Sequence, residues 1–172
     1  ILDYAGYELH CLPTPGHTPG HLCLYAPDQK ILLSGDHILG DITPNIQCWS
    51  DARNPLQAYL QSLQDCKALA VNLVLPGHRE LFRDCQGRIR ELETHHAQRL
   101  AEILTILDGS TVTPYTVASR MTWDFAANAW EEFPMAQKWF ATGEANAHLR
   151  YLEERGEIER REQNGRLAFT RL

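Results

Sequence analysis

The sequence predicts an α/β layered arrangement over residues 1–109, followed by a small α+β region over residues 110–172. Three observations predict it. Short apolar runs alternate with helix-periodic stretches through the first part. The second part holds three short helical stretches and then two strand-like runs joined by Asn164-Gly165, a strong hairpin signal. Between the two parts, Asp108-Gly109 closes a helix, which places the boundary near Gly109 to Thr113.

In chain order, residues 8–12 read as a strand that stops at Pro13, because proline cannot donate to a ladder. Residues 21–26 form a second strand, closed by the turn Pro27-Asp28-Gln29-Lys30. A third covers residues 31–34 and ends at Gly35-Asp36. Asn54 caps a helix whose first position is Pro55 and whose apolar face runs Leu56, Tyr59, Leu60, Leu63 and Cys66. Residues 71–75 are a fourth strand, ended by Pro76-Gly77, and a long helix covers about residues 88–107. Beyond the boundary, helices are expected over residues 114–121, 134–140 and 144–155, then strands over 158–163 and 166–171. Helices followed by a terminal hairpin give the layout of a winged helix.

Composition excludes several classes. The 172 residues are 44% hydrophobic and 22% charged, the signature of a globular chain rather than a disordered one. A net charge of −6 argues against a protein built mainly to coat nucleic acid or anionic membrane. No apolar run approaches the roughly 18 residues of a membrane span. The five cysteines are odd in number and scattered, with no CxxC pair. That usage points to reduced, buried thiols and a cytoplasmic location.

The chemistry concentrates at strand ends. Thr14-Pro15-Gly16-His17-Thr18-Pro19-Gly20-His21 places two prolines and two glycines around histidine directly after a strand. A side chain held in so tight a turn is rigidly aimed, and little rotamer entropy remains for it to lose on binding. The same arrangement recurs at Ser34-Gly35-Asp36 and at Leu75-Pro76-Gly77-His78. Imidazole nitrogen and carboxylate oxygen suit Zn²⁺ or a similar borderline cation. A lone Pro-Gly-His is a weak signal, and Asp36 taken singly reads as a helix cap or turn former; it is the recurrence that points to a metal site.

The series TPGHTPGH, then SGD, then LPGH, each after an apolar strand, resembles the metallo-β-lactamase fold of metal-dependent hydrolases. The resemblance covers residues 1–109. It implies that this stretch is the C-terminal half of an αββα sandwich. It also implies that His17 binds a first zinc, Asp36 bridges two metals and His78 binds the second. His21 in that family holds the loop by hydrogen bonding, and His37 reads as a supporting or packing residue. His10, His95, His96 and His148 read as ordinary surface or packed histidines. The activity implied is metal-assisted hydrolysis of a thioester, ester, lactam or RNA, in which a cation pair makes water acidic enough to attack at neutral pH.

Two departures qualify this. The family's HxHxDH signature, which stands upstream of these segments, is absent. The chain is therefore expected to be a piece of a longer protein, inactive alone. Halves of such a sandwich pack on each other, so an exposed apolar sheet face and self-association are expected. The second departure is Arg79, where glycine often follows the last PGH.

Residues 140–156 resemble the small winged-helix domain appended to a lactamase-β-like subgroup of the family, which includes an endoribonuclease. That raises an alternative, a nucleic-acid-binding or protein-docking module with a vestigial metal half. Residues 110–172 carry 8 basic and 9 acidic side chains, and glutamates interleave the hairpin arginines. This reads as a solvated, ion-paired face. Trp123, Trp130, Trp139 and Phe140 are expected to build a small core or pack on the first region.

Overall fold

The first thirty-five residues supply four strands of a five-stranded sheet, and residues 73–76 supply the fifth. The computed structural model describes residues 1–50, 53–124, 129–163 and 165–172. Packing divides them into two units: Ile1–Ile46 with Pro55–His95, and Gln47–Asn54 with His96–Leu172.

In the first unit, β1 (Leu2–Tyr4) and β2 (Tyr7–Pro13) form a hairpin. Its turn is Ala5-Gly6, both at positive φ (52° and 80°), the combination whose twist matches antiparallel strands. The strand expected over residues 8–12 is thus extended back to Tyr7 and paired with β1. β3 (Leu22–Ala26) runs antiparallel to β2, and β4 (Ile31–Gly35) antiparallel to β3. Helix α1 (Pro55–Lys67) then carries the chain over to β5 (Leu73–Pro76), which lies parallel to β4 in the order β1-β2-β3-β4-β5. A parallel neighbour requires such a crossover. Leu56, Tyr59, Leu63 and Cys66 of α1 are buried as the helical spacing requires, with Leu32, Val74 and Ile89 also in the core. The consequence that matters is register. Gly35 pairs with Pro76, so the residues just past β4 and β5 emerge side by side.

The second unit holds the end of α2 (Cys85–Ile106), α3 (Pro114–Arg120) and α4 (Met135–Glu154). Its sheet has the order β6-β8-β7, from β6 (Thr111–Val112), β8 (Arg166–Arg171) and β7 (Ile158–Gln163). The hairpin expected at Asn164-Gly165 is present in its strands, paired from Ile158↔Arg171 to Gln163↔Arg166; Asn164 itself lies outside the described residues. Its core joins Ile103, Leu107, Val117, Leu149, Leu152 and Phe169. Packing therefore separates the units within α2, upstream of the change in grain at 109–113.

Two expectations fail here for physical reasons. Residues 134–140 and 144–155 are not separate helices. α4 runs through Gly143, where a Cβ would stand 2.6 Å from the Trp49 ring, so glycine makes room for an indole rather than ending a helix. Trp139 and Phe140 are not core. Ala141, Ala145, Leu149 and Leu152 form the buried face of α4, leaving Trp139 51% exposed and stacked on Trp49 at 4.6 Å.

Candidate metal centre

The Thr14–His21 loop is pinned at both ends. The Thr14 amide donates to the His21 carbonyl at 2.9 Å, and Ser62 of α1 donates its hydroxyl to the Pro15 carbonyl at 3.0 Å. Gly16, at φ 146°, lies so close to α1 that a Cβ there would stand 2.4 Å from Tyr59 Cβ. The loop is thus pressed onto the helix, and His17 has one direction in which to point.

A main-chain acceptor then fixes the protonation of His17. Its Nδ1 lies 2.8 Å from the Asn45 carbonyl, which can only accept, so Nδ1 carries the proton and donates. In the neutral ring this leaves a lone pair on Nε2, the arrangement typical of a metal-ligating histidine. That Nε2 is 3.7 Å from Asp36 Oδ2.

Asp36 is held by His21. The Asp36 amide donates to His21 Nε2 at 3.1 Å, and His21 Nδ1–H in turn donates to Thr14 Oγ1 at 2.8 Å. Both ring nitrogens are therefore engaged, which removes His21 from any ligand set. Gly35 makes this approach possible: it sits at φ 49°, and a Cβ there would be 2.8 Å from His21 Nε2.

His78 arrives from the neighbouring strand. The Gly77 amide donates to the Gly35 carbonyl at 2.8 Å, extending the β4–β5 pairing by one rung. His78 Nε2 then lies 3.4 Å from Asp36 Oδ1. One carboxylate thus presents a separate oxygen to each of two imidazole nitrogens.

These separations test whether a metal fits. Direct N–H···O hydrogen bonds run about 2.7–3.2 Å, and both contacts are longer. Ligands bound at about 2.0–2.2 Å around a tetrahedral ion stand about 3.4 Å apart, close to what is observed. Imidazole and carboxylate are zinc donors by chemistry as well. The set is nevertheless open. Each histidine brings one nitrogen and shares one carboxylate, and among the described residues no three His, Cys, Asp or Glu side chains close around a metal position. His17 and Asp36 are about one-third exposed and His78 about two-thirds, so the open side faces solvent.

His37, beside Asp36, is wholly buried. Burial pushes its imidazole down to about 4, so it is neutral and packs edge-on to Tyr59 at 5.1 Å. Cys23, Cys48, Cys66 and Cys85 are buried and Cys11 half-buried, all as free thiols. The Cys66 thiol is pushed up by its hydrogen bond to Cys23 and by burial, and Cys85 is pushed up to about 11 by burial. His96 and His148 form a buried pair within the second unit, with Nδ1 and Nε2 3.0 Å apart. Asn45 was invisible to sequence reasoning, since it acts through its backbone carbonyl.

Comparison with known proteins gives this geometry a setting. Residues 8–78 match the family model of the metallo-beta-lactamase superfamily, and residues 100–172 match that of the metallo-beta-lactamase-like C-terminal domain. A beta-lactamase-like protein 2 homolog of Caenorhabditis elegans is 32% identical over 102 residues, which is 59% of this chain and 32% of that protein. An atrochrysone carboxyl ACP thioesterase of Aspergillus fumigatus is 23% identical over 107 residues, 62% of this chain and 32% of that one. Among solved structures, a metallo-beta-lactamase family protein of Thermus thermophilus superposes with a TM-score of 0.83 at 32% identity. A beta-lactamase domain protein of Burkholderia ambifaria reaches 0.91 at 30%. Each superposition takes in 99% of this chain, and respectively 52% and 50% of the other. The chain thus spans about half the length of those two structures and about a third of the curated relatives it matches.

Proposed function

We propose that this chain, assembled from metallo-β-lactamase superfamily segments, supplies the aspartate-bridged half of a two-metal hydrolase site. One observation carries the reading: Asp36 turns one oxygen to His17 Nε2 and the other to His78 Nε2, at 3.7 and 3.4 Å. His17 would hold one zinc, His78 the second, and Asp36 both. When bound, such a pair supplies Lewis acidity toward a carbonyl or phosphoryl oxygen and brings the pKa of water toward about 7. The chain's own residues do the positioning. Asn45 selects the His17 tautomer, and His21 with Gly35 fixes Asp36.

Two donors per cation fall short of the four usual for zinc, so the isolated chain binds metal weakly and hydrolyses nothing. The remaining ligands would come from the other half of the fold. The substrate would be a thioester, ester, lactam or RNA; one relative bears the name of a thioesterase and others that of lactamase-like proteins. Calorimetric titration with zinc tests the assignment. Affinity in the micromolar range or weaker, reduced most by Asp36→Ala and less by His17→Ala or His78→Ala, is expected. Submicromolar binding that needs all three would show a site complete in this chain, and binding indifferent to all three would remove the assignment.

The alternative, nucleic-acid binding by a winged-helix-like second unit, is opposed by the pairing of four arginines at and before its hairpin. Arg160 forks onto Glu153 at 2.9 and 2.8 Å, Arg161 pairs with Glu159, Arg155 with Glu157, and Arg150 with Glu153 and Glu154. Arginines already committed to carboxylates release few counterions from phosphate. Among the described residues no helix is long and apolar enough to cross a membrane. Self-association is the remaining element of the proposal. Ile1, Leu2, Tyr4, Tyr7 and Leu22 are all about half exposed or more along the β1–β2 side of the sheet. A clean monomer by light scattering at high micromolar concentration would count against it.

A further inference from the structure

We infer that Thr14, anchored on the Cys23 thiol, is a positioning residue that sets the tautomer of His21 and, through it, the aim of Asp36. The consequence for metal rests on the two-metal reading above; the hydrogen-bond circuit does not.

Asp36 stands in a turn closed by the His37 amide, which donates to the Ser34 carbonyl at 3.0 Å. The pairing of β4 with β5 passes over Ser34, moving from Leu33↔Leu75 to Gly35↔Pro76. A residue dropped from the ladder in this way must satisfy its backbone groups elsewhere. Two side chains reach this turn from β3 and the loop before it. His21 Nε2 accepts from the Asp36 amide at 3.1 Å, and the Cys23 thiol donates to the Ser34 carbonyl at 3.4 Å. Thr14 joins the two, with its Oγ1 2.8 Å from His21 Nδ1 and 3.3 Å from Cys23 Sγ. Thr14, Cys23 and Ser34 are all buried, so a partner lost here is not replaced by bulk water.

The two ends of this circuit fix its direction. An amide can only donate and a carbonyl can only accept. The Asp36 amide therefore needs a bare Nε2 on His21, which puts the ring proton on Nδ1, facing Thr14. The Ser34 carbonyl takes the Cys23 proton, so the sulfur presents a lone pair to Thr14. The residue between them must accept on one side and donate on the other, which a hydroxyl does and an alkyl or carboxylate group does not. Were the Thr14 proton turned toward His21 instead, the imidazole would carry its own on Nε2, N–H against N–H at the Asp36 amide. Thr14 thus does for His21 what the Asn45 carbonyl does for His17.

The test uses the metal-free 172-residue chain and reads the His21 ring by long-range proton–nitrogen NMR, which distinguishes a protonated ring nitrogen from a bare one. In the wild type, and in Thr14→Ser, which keeps the hydroxyl, the proton is expected on Nδ1 alone. Thr14→Val keeps the shape and loses the hydroxyl; it should give a second form protonated on Nε2 and shift the Asp36 amide. Cys23→Ala should give the same second form, and Cys23→Ser should suppress it. Zinc affinity should fall about tenfold in Thr14→Val and recover in Thr14→Ser, as for other partners that orient metal ligands. A merely structural role would lower stability and leave the tautomer alone. An unchanged Nδ1 form in Thr14→Val or, should that variant not fold, in Cys23→Ala would overturn the inference. So would a second form that Thr14→Ser shows equally. If zinc binds neither variant nor wild type while the His21 tautomer still follows Thr14, the metal assignment falls and the positioning role stands.

Discussion

Gly77→Ala strikes the centre without touching a proposed ligand. A Cβ at this position would lie 2.7 Å from Asp36 Oδ1, 3.1 Å from the Gly35 carbonyl carbon and 3.3 Å from its oxygen. Ordinary contact begins near 3.4 Å, so the carboxylate must give way by about 0.7 Å and the Gly35 carbonyl carbon by about 0.3 Å. The carboxylate can rotate, but the Gly35 backbone is fixed by the Gly77 N–H···O bond of 2.8 Å that ends the β4–β5 pairing. Overpacking against a rigid neighbour costs about 1–3 kcal/mol. For a chain of this length that lowers the melting temperature by roughly 3–10 °C. Because the displaced atom is the Asp36 oxygen that faces His78, zinc affinity should fall by about tenfold, equivalent to about 1.4 kcal/mol. Gly20→Ala is the control: a Cβ there meets nothing within 4 Å, so its effect should stay within about 0.5 kcal/mol. Thermal unfolding by circular dichroism and a zinc isotherm on both variants decide the matter. Variants indistinguishable in both measurements would refute the packing argument.

Three further outcomes follow from the contacts. His21→Ala leaves the Asp36 amide and the Thr14 hydroxyl without their ring partner and should cost about 1–3 kcal/mol in chemical denaturation; a change under about 0.5 would contradict the network. Arg88→Met removes donations to the Leu39 and Ile42 carbonyls at 2.7 and 3.0 Å, costing about 2–4 kcal/mol, and should shift the His17 ring resonances because that turn leads into Asn45. An unmoved His17 ring would break that link. Partial burial pushes the Glu153 carboxyl up, but the hydrogen bonds and charges of Arg160 and Arg150 outweigh it and hold the group below its usual value of 4.5. A depressed carboxyl contributes stability above the unfolded pKa and loses it as pH falls through the folded one. The advantage of the wild type over Glu153→Gln should therefore shrink as pH drops below about 4.5, and a pH-independent difference between them would exclude the linkage.

Much of the fold could be read because periodicity and punctuation agreed. The strand ends at Pro13, Gly35 and Pro76 and the buried face of α1 follow from residues that can adopt few alternatives. Where reading failed, the deciding partner was distant in sequence. The break expected between residues 140 and 144 is absent because Trp49, from a loop more than ninety residues earlier, occupies the space that a side chain at Gly143 would fill. The β1–β2 hairpin was missed because Ala5-Gly6 is a less familiar turn pair than Asn-Gly, although Gly6 stands between Tyr4 and Tyr7 as a turn residue should.

The centre shows the same division more sharply. Ligand candidates were legible because each must be aimed by a short, stiff turn, and proline and glycine leave their mark in sequence. What aims them was not. The Asn45 carbonyl that protonates His17 on Nδ1 would be the same atom on most residue types, so no side-chain pattern announces it. The convergence of Asp36 with His78 depends on β4 lying parallel to β5 in one register. A slip of one residue would turn alternate side chains to the opposite face of the sheet. The crossover through α1 therefore has a chemical consequence. It is the topology that sets two sequence-distant loops side by side, so that one carboxylate can face two imidazoles. Changing the α1 packing face, for instance at Tyr59, which bears on both Gly16 and the His37 carbonyl, should disturb His17 and Asp36 together rather than one of them.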